Sequence, residues 1–186
     1  MVRHLDDPRY GALLAAWDAF LNEPADPEGA ANAGRPIGEV ASERIWKVYR
    51  RAIKKGLAIL VDTPAKALHE LRIECKKLRY LMEFFRGLYD GPKIERLIKA
   101  LKQLQDLLGD FNDYEVQQVS LRGFAEEMRE SVPADTLMAL GRLVEHLEAG
   151  RERERGRFAQ RFAKFARPAN RRLARQLFAG RDAESG

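Results

Sequence analysis

The sequence predicts an all-α protein, an antiparallel helical bundle of about four core helices with flanking ones. Three observations carry this. Apolar residues recur at three- and four-residue spacing through almost the whole chain, and nowhere alternate as a half-buried strand requires. Short connections such as Asp62-Thr63-Pro64 and Asp90-Gly91-Pro92 separate the segments, and links that short turn successive helices antiparallel. At 186 residues, 45% hydrophobic and 33% charged, the chain has the composition of one ordinary domain able to bury its own core.

Pro8 to Leu21 reads as a first, short amphipathic helix through Leu13, Leu14, Trp17, Phe20 and Leu21. Pro24 to Pro36 is a loop by composition, so residues 1–34 are expected to stand apart from a bundle over 35–180, with 181–186 a disordered tail. Ile37 to Val61 is a second helix. Thr63 reads as the N-cap of a third, opened by Pro64 and running to about Tyr89. A fourth spans Pro92 to Leu108, with Gly109 as its C′ residue. Asn112 or Asp113 then caps a fifth helix to about Glu130, before Ser131-Val132-Pro133 breaks the chain. Ala134 to Ala166 is one long helix whose middle, Arg151-Glu152-Arg153-Glu154-Arg155, reads as a solvated face, and Ala169 to Phe178 is a short last one.

The formal net charge of +5 is unevenly placed. Residues 40–102 hold sixteen Lys/Arg against seven Asp/Glu, which leaves the remainder net acidic. Such a local positive field points to an anionic partner: polyphosphate, nucleic acid or an acidic membrane surface. The single Cys75 excludes an internal disulfide framework and reads as a small core residue. No apolar run approaches the roughly 18 residues of a membrane span, and the N-terminus lacks the basic-then-apolar order of a signal peptide. A soluble, cytoplasmic protein without membrane insertion is the expectation.

The charge is most ordered on the third helix. At about 100° per residue, His69, Arg72, Lys76 and Arg79 share one narrow stripe. Leu68, Leu71, Cys75, Leu78 and Met82 flank it on one side, and Ile73, Tyr80 and Phe84 on the other. A solvated charged face normally lies opposite a single apolar face; a basic stripe between two apolar strips points to a partly enclosed groove completed by an anion. Arg44, Lys47, Arg51 and Lys54 repeat the same spacing on the second helix and are expected to form the groove's second lining. Lone helical histidines are more often structural than ligand-binding, so the cations beside His69 carry the reading. By the same standard Asn112 and Asp113 read as capping residues.

The run His69-Glu70-Leu71-Arg72, followed by Lys76-Lys77-Leu78-Arg79-Tyr80 and Glu83-Phe84-Phe85, resembles the signature helix of the CHAD family, the conserved histidine α-helical domain. Leu101-Lys102-Gln103-Leu104-Gln105 with Leu108-Gly109-Asp110-Phe111-Asn112-Asp113 resembles that family's second motif, and the likeness spans roughly Arg35 to Phe178. The resemblance implies non-catalytic binding of inorganic polyphosphate in a basic channel, with no cofactor, in a cytoplasmic protein associated with polyphosphate granules. It carries the ligand-facing role onto His69, Arg72, Lys76 and Arg79, and onto Lys77 at the family's second basic position; Lys77 itself lies off the stripe, beside Glu70 and Glu74, where a salt bridge fits equally well. Family members usually have two such repeats, and this chain has one, resembling the C-terminal repeat, preceded by what reads as the last helix of another. Two copies are therefore expected to rebuild the channel as a homodimer.

Metal-dependent phosphate chemistry would need clustered carboxylates or His-Asp pairs. The carboxylates here are scattered, and Arg151 to Arg155 is not the Glu-x-Glu-x-Lys strand motif of the triphosphate tunnel enzymes. Nucleic-acid backbone binding is the second reading, because any row of cations serves a phosphodiester. A plain helical oligomerisation module with incidental charge is the third.

Overall fold

The computed structural model describes residues 7–23 and 31–179. The chain divides into two compact units, Met1–Pro36 and Ile37–Gly186. The expected loop over 24–30 and the expected tail over 181–186 lie outside the described residues.

The first unit contributes helix α1, Pro8–Asn22. Asp7 caps it, accepting a hydrogen bond from the Arg9 backbone N–H at 2.9 Å, and Pro8 sits where its missing N–H costs nothing. Leu13, Leu14, Trp17, Phe20 and Leu21 are all exposed.

The second unit is a bundle of five α-helices among the described residues: α2 (Ile37–Leu57), α3 (Ala65–Phe84), α4 (Gly91–Glu127), α5 (Ala134–Phe165) and α6 (Pro168–Phe178), with a 3₁₀ turn at Arg86–Leu88. Pairing distances fix the directions. Lys55 meets Glu70 at 2.9 Å and Arg51 meets Glu74 at 3.4 Å, so α2 and α3 run antiparallel. Arg122 to Glu148 at 3.5 Å and Arg151 to Gln118 at 3.4 Å do the same for α4 and α5. The core collects Ile45, Val48 and Ala52 from α2, Leu68, Leu71, Cys75 and Leu78 from α3, and Leu97, Leu101, Leu104 and Phe111 from α4, closed by Phe158, Phe162 and Phe165 of α5 and Phe178 of α6.

Two local expectations are corrected. Thr63 does not cap α3: its Oγ1 accepts from the Leu60 N–H at 2.8 Å, closing the turn that ends α2 at Leu57 instead of Val61. The Arg155 guanidinium reaches across from α5 and donates to the Leu60, Val61 and Thr63 carbonyls, satisfying backbone acceptors of the link between α2 and α3. More consequentially, there is no break at 109–113. α4 runs through Gly109-Asp110-Phe111-Asn112-Asp113 as one helix of 37 residues. A mid-helix glycine costs about 1 kcal/mol against alanine, but Leu107, Leu108 and Phe111 are buried around it, and burying one such side chain contributes roughly 1.5–3 kcal/mol. Packing overrides the local preference.

α6 is held by Asn170, which is fully buried and donates through Nδ2 to the Lys164 and Phe165 carbonyls, acceptors that the last turn of α5 leaves open. Gly56 permits the close approach of α2 to α5: a Cβ there would overlap the Phe162 ring. Beyond the core, α4 and α5 continue as a two-helix hairpin, and no residue from 119 to 146 is buried.

Candidate functional site

The stripe on α3 is placed by the helix's own core face. Leu68, Leu71, Cys75, Leu78 and Met82 are buried, which turns His69, Arg72, Lys76 and Arg79 to the adjoining flank. His69 is exposed, and Arg72, Lys76 and Arg79 are half-buried. Among the described residues neither Arg72 nor Lys76 has an ion-pair partner. Arg79 lies 3.6 Å from Glu83, within ion-pair range without closing a hydrogen bond, and its guanidinium stands 5.3 Å from the Tyr80 ring centre. Glu83 falls on the same stripe and ends it.

The wall facing this stripe is α4. His69 Nδ1 lies 2.8 Å from Asn112 Oδ1. A carboxamide oxygen only accepts, so Nδ1 carries the proton and Nε2 is left as the outward ring nitrogen. Asn112 Nδ2 turns to Asp113 Oδ1 at 3.4 Å. Asn112 is therefore an interior helix residue that orients the histidine, and not a cap. Gln105, seven residues earlier on the same face of α4, is buried with both amide atoms unpartnered. The short link between α3 and α4 makes them antiparallel, which brings Gln105 level with Lys76. A buried, unused carboxamide is expensive, and both amide atoms of Gln105 are closed off from solvent.

The acidic residues of α4 lie on another flank. Burial, with Glu154, Asp106 and Asp113 nearby, raises the Asp110 carboxyl above its ordinary range.

The α2 residues are placed differently. Arg44 and Lys47 are exposed, without ion pairs among the described residues. Arg51 is engaged with Glu74, and its neighbour Lys55 hydrogen-bonds Glu70, holding that carboxyl below the usual range. Lys54 lines a cleft between α2 and α6. Glu70 and Glu74 occupy the α3 flank away from the stripe, so the two cationic rows do not converge on one groove. Lys77 is exposed beside them. The second apolar strip is open as well, with Ile73, Tyr80 and Phe84 at 37%, 53% and 81% exposure.

Cys75 is fully buried, and burial pushes its thiol up to about 12, as a core residue requires. Among the described residues no group of three or more His, Cys, Asp or Glu side chains could hold a metal ion, and no helix is long and apolar enough to cross a membrane.

Sequence reading missed Asn112 as the partner of His69, and Arg50, Arg171, Arg172 and Arg175 in the α2–α6 cleft. The i, i+7 spacing of Gln105 and Asn112 was a usable signal once α4 is one helix.

These features define an all-α bundle carrying a cationic helix face with the Asn112 carboxamide against its histidine. The CHAD domain model matches residues 1–122 of the 186, and the chain belongs to the CHAD domain family. The matched span takes in α1 and most of α4, including both motif helices, and stops short of α5 and α6. Among curated proteins none matches this sequence.

Proposed function

We propose that the α3 row binds inorganic polyphosphate and that the protein carries out no catalysis of its own. The CHAD family is associated in general with polyphosphate, and the observation that carries the reading here is the pair Arg72 and Lys76: two half-buried cations one turn apart with no counter-ion among the described residues. A half-buried cation without a partner gains most from a fixed anion, and Arg binds phosphate oxygens bidentately. From His69 to Arg79 the row extends about 15 Å along the helix, which suits an extended chain of phosphates better than a single one. Arg44 and Lys47 extend the field on the far side of the Glu70 and Glu74 ladder.

The test is competition of long-chain polyphosphate against single- and double-stranded DNA at two salt concentrations. The expected result is a preference for polyphosphate, a steep loss of affinity with salt, and a drop of at least about tenfold in the double variant Arg72→Ala/Lys76→Ala. Equal affinity for DNA would replace this reading with nucleic-acid backbone binding; no salt-dependent binding of either would leave an oligomerisation module. Incubation with polyphosphate should release no orthophosphate.

A further inference from the structure

A second cationic site lies outside the α3 row, in the cleft between α2 and α6, whose volume is about 790 Å³. Small-molecule sites fall at roughly 300–1,000 Å³. The helices run antiparallel here: Ser42, near the start of α2, lies 3.0 Å from the Tyr89 hydroxyl, and the Tyr89 ring meets Phe178 at the end of α6. Arg50 and Lys54 face the cleft from α2, and Arg171, Arg172 and Arg175 from α6. All five are exposed, and none has an ion-pair partner among the described residues. Five like charges across one packed interface repel, and a multivalent anion converts that repulsion into attraction.

The floor between them is apolar. Trp46, Ile53, Leu57 and Pro168 line it, and the Trp46 ring lies nearly parallel to Tyr49, at 10° and 5.6 Å between centres. Tyr49 is buried, and its hydroxyl has no hydrogen-bond partner. A bare phosphate chain would answer the arginines and leave charged oxygens against this apolar surface. A ligand with phosphates at one end and a flat ring at the other satisfies both.

We propose that the α2–α6 cleft binds a nucleoside polyphosphate, its phosphates among the α2 and α6 cations and its base against Trp46. The site is separate from the polyphosphate row on α3, and each can fail without the other. Calorimetry with ATP, adenosine and tripolyphosphate tests it on the full chain. ATP is expected to bind at least about tenfold tighter than either fragment, as an added ring contact or charge-assisted phosphate contact allows. With Trp17→Phe removing the other of the two tryptophans, ATP should change Trp46 emission. Arg171→Glu/Arg175→Glu should lower ATP affinity at least about tenfold and leave long-chain polyphosphate binding within about twofold; Arg50→Glu, on the opposite wall, is the second variant should the α6 variant not fold. Arg72→Glu/Lys76→Glu should do the reverse. Tripolyphosphate binding as tightly as ATP, unchanged Trp46 emission, or ATP affinity indifferent to the cleft variants would each overturn the proposal.

Discussion

His69 and Asn112 act as one unit. The carboxamide oxygen of Asn112 fixes which ring nitrogen carries the proton, and with it the direction in which Nε2 points. If His69 contributes to anion binding through that orientation, Asn112→Ala should weaken polyphosphate binding by about two- to tenfold, and the loss should not add to that of His69→Ala. A double-mutant cycle by calorimetry measures this; strictly additive losses would show that the two residues work independently. Arg72 and Lys76 need no such orienting partner, because a point charge or a guanidinium fork finds phosphate oxygens from several directions. In the proposed binding mode they are expected to carry more of the affinity than the histidine for which the family is named.

Glycines separate what a helix prefers from what the bundle demands. Nothing lies within 4 Å of a Cβ built on Gly109, in the middle of α4, whereas one built on Gly56 overlaps Phe162. Gly109→Ala should therefore stabilise the fold by about 0.5–1 kcal/mol, and Gly56→Ala should destabilise it by about 1–3 kcal/mol. Urea denaturation of the two variants checks both signs. The pair also marks how far the sequence could be read. The ends of α1 and α5, and the cationic stripe of α3, follow from 3.6-residue periodicity, which is local. The continuity of α4 was hidden because Gly, Asp and Asn favour a loop on their own, and only the burial of Leu107, Leu108 and Phe111 against other helices reverses that preference. The neighbour of the α3 stripe was hidden for a related reason. Periodicity tells which residues share a face and is silent about which helix lies against it, so α2 was expected where α4 stands. The α6 arginines look like a solvated face until Pro168 and Asn170 fold that helix back along α2.

For the molecule as a whole, burial of Tyr49 pushes its hydroxyl up to about 12, with the Arg171 charge opposing weakly. A tyrosine held neutral in the fold contributes stability that is fully present below the unfolded value near 10 and lost as pH rises through the folded one. Wild type should therefore lose stability relative to Tyr49→Phe between about pH 10 and 12, measured by denaturation at each pH; a constant difference would mean that the hydroxyl is not so confined. We further propose that two copies associate, using the exposed apolar strip of Ile73, Tyr80 and Phe84 beside the α3 row. Light scattering at tens of micromolar should give the mass of a dimer, reduced to that of one chain by Phe84→Glu. The α4–α5 hairpin has a different consequence. With no buried residue between 119 and 146, its outer part is held by contacts between its own two helices, and it is expected to unzip from the tip while the core stays closed. Amide protons there should exchange by a local opening far cheaper than global unfolding. The fraying stops where Gln118 and Leu147 become buried, less than two turns beyond Asn112. Asn112 therefore lies on the closed side of that boundary, and exchange in the outer arm should be the same with and without polyphosphate.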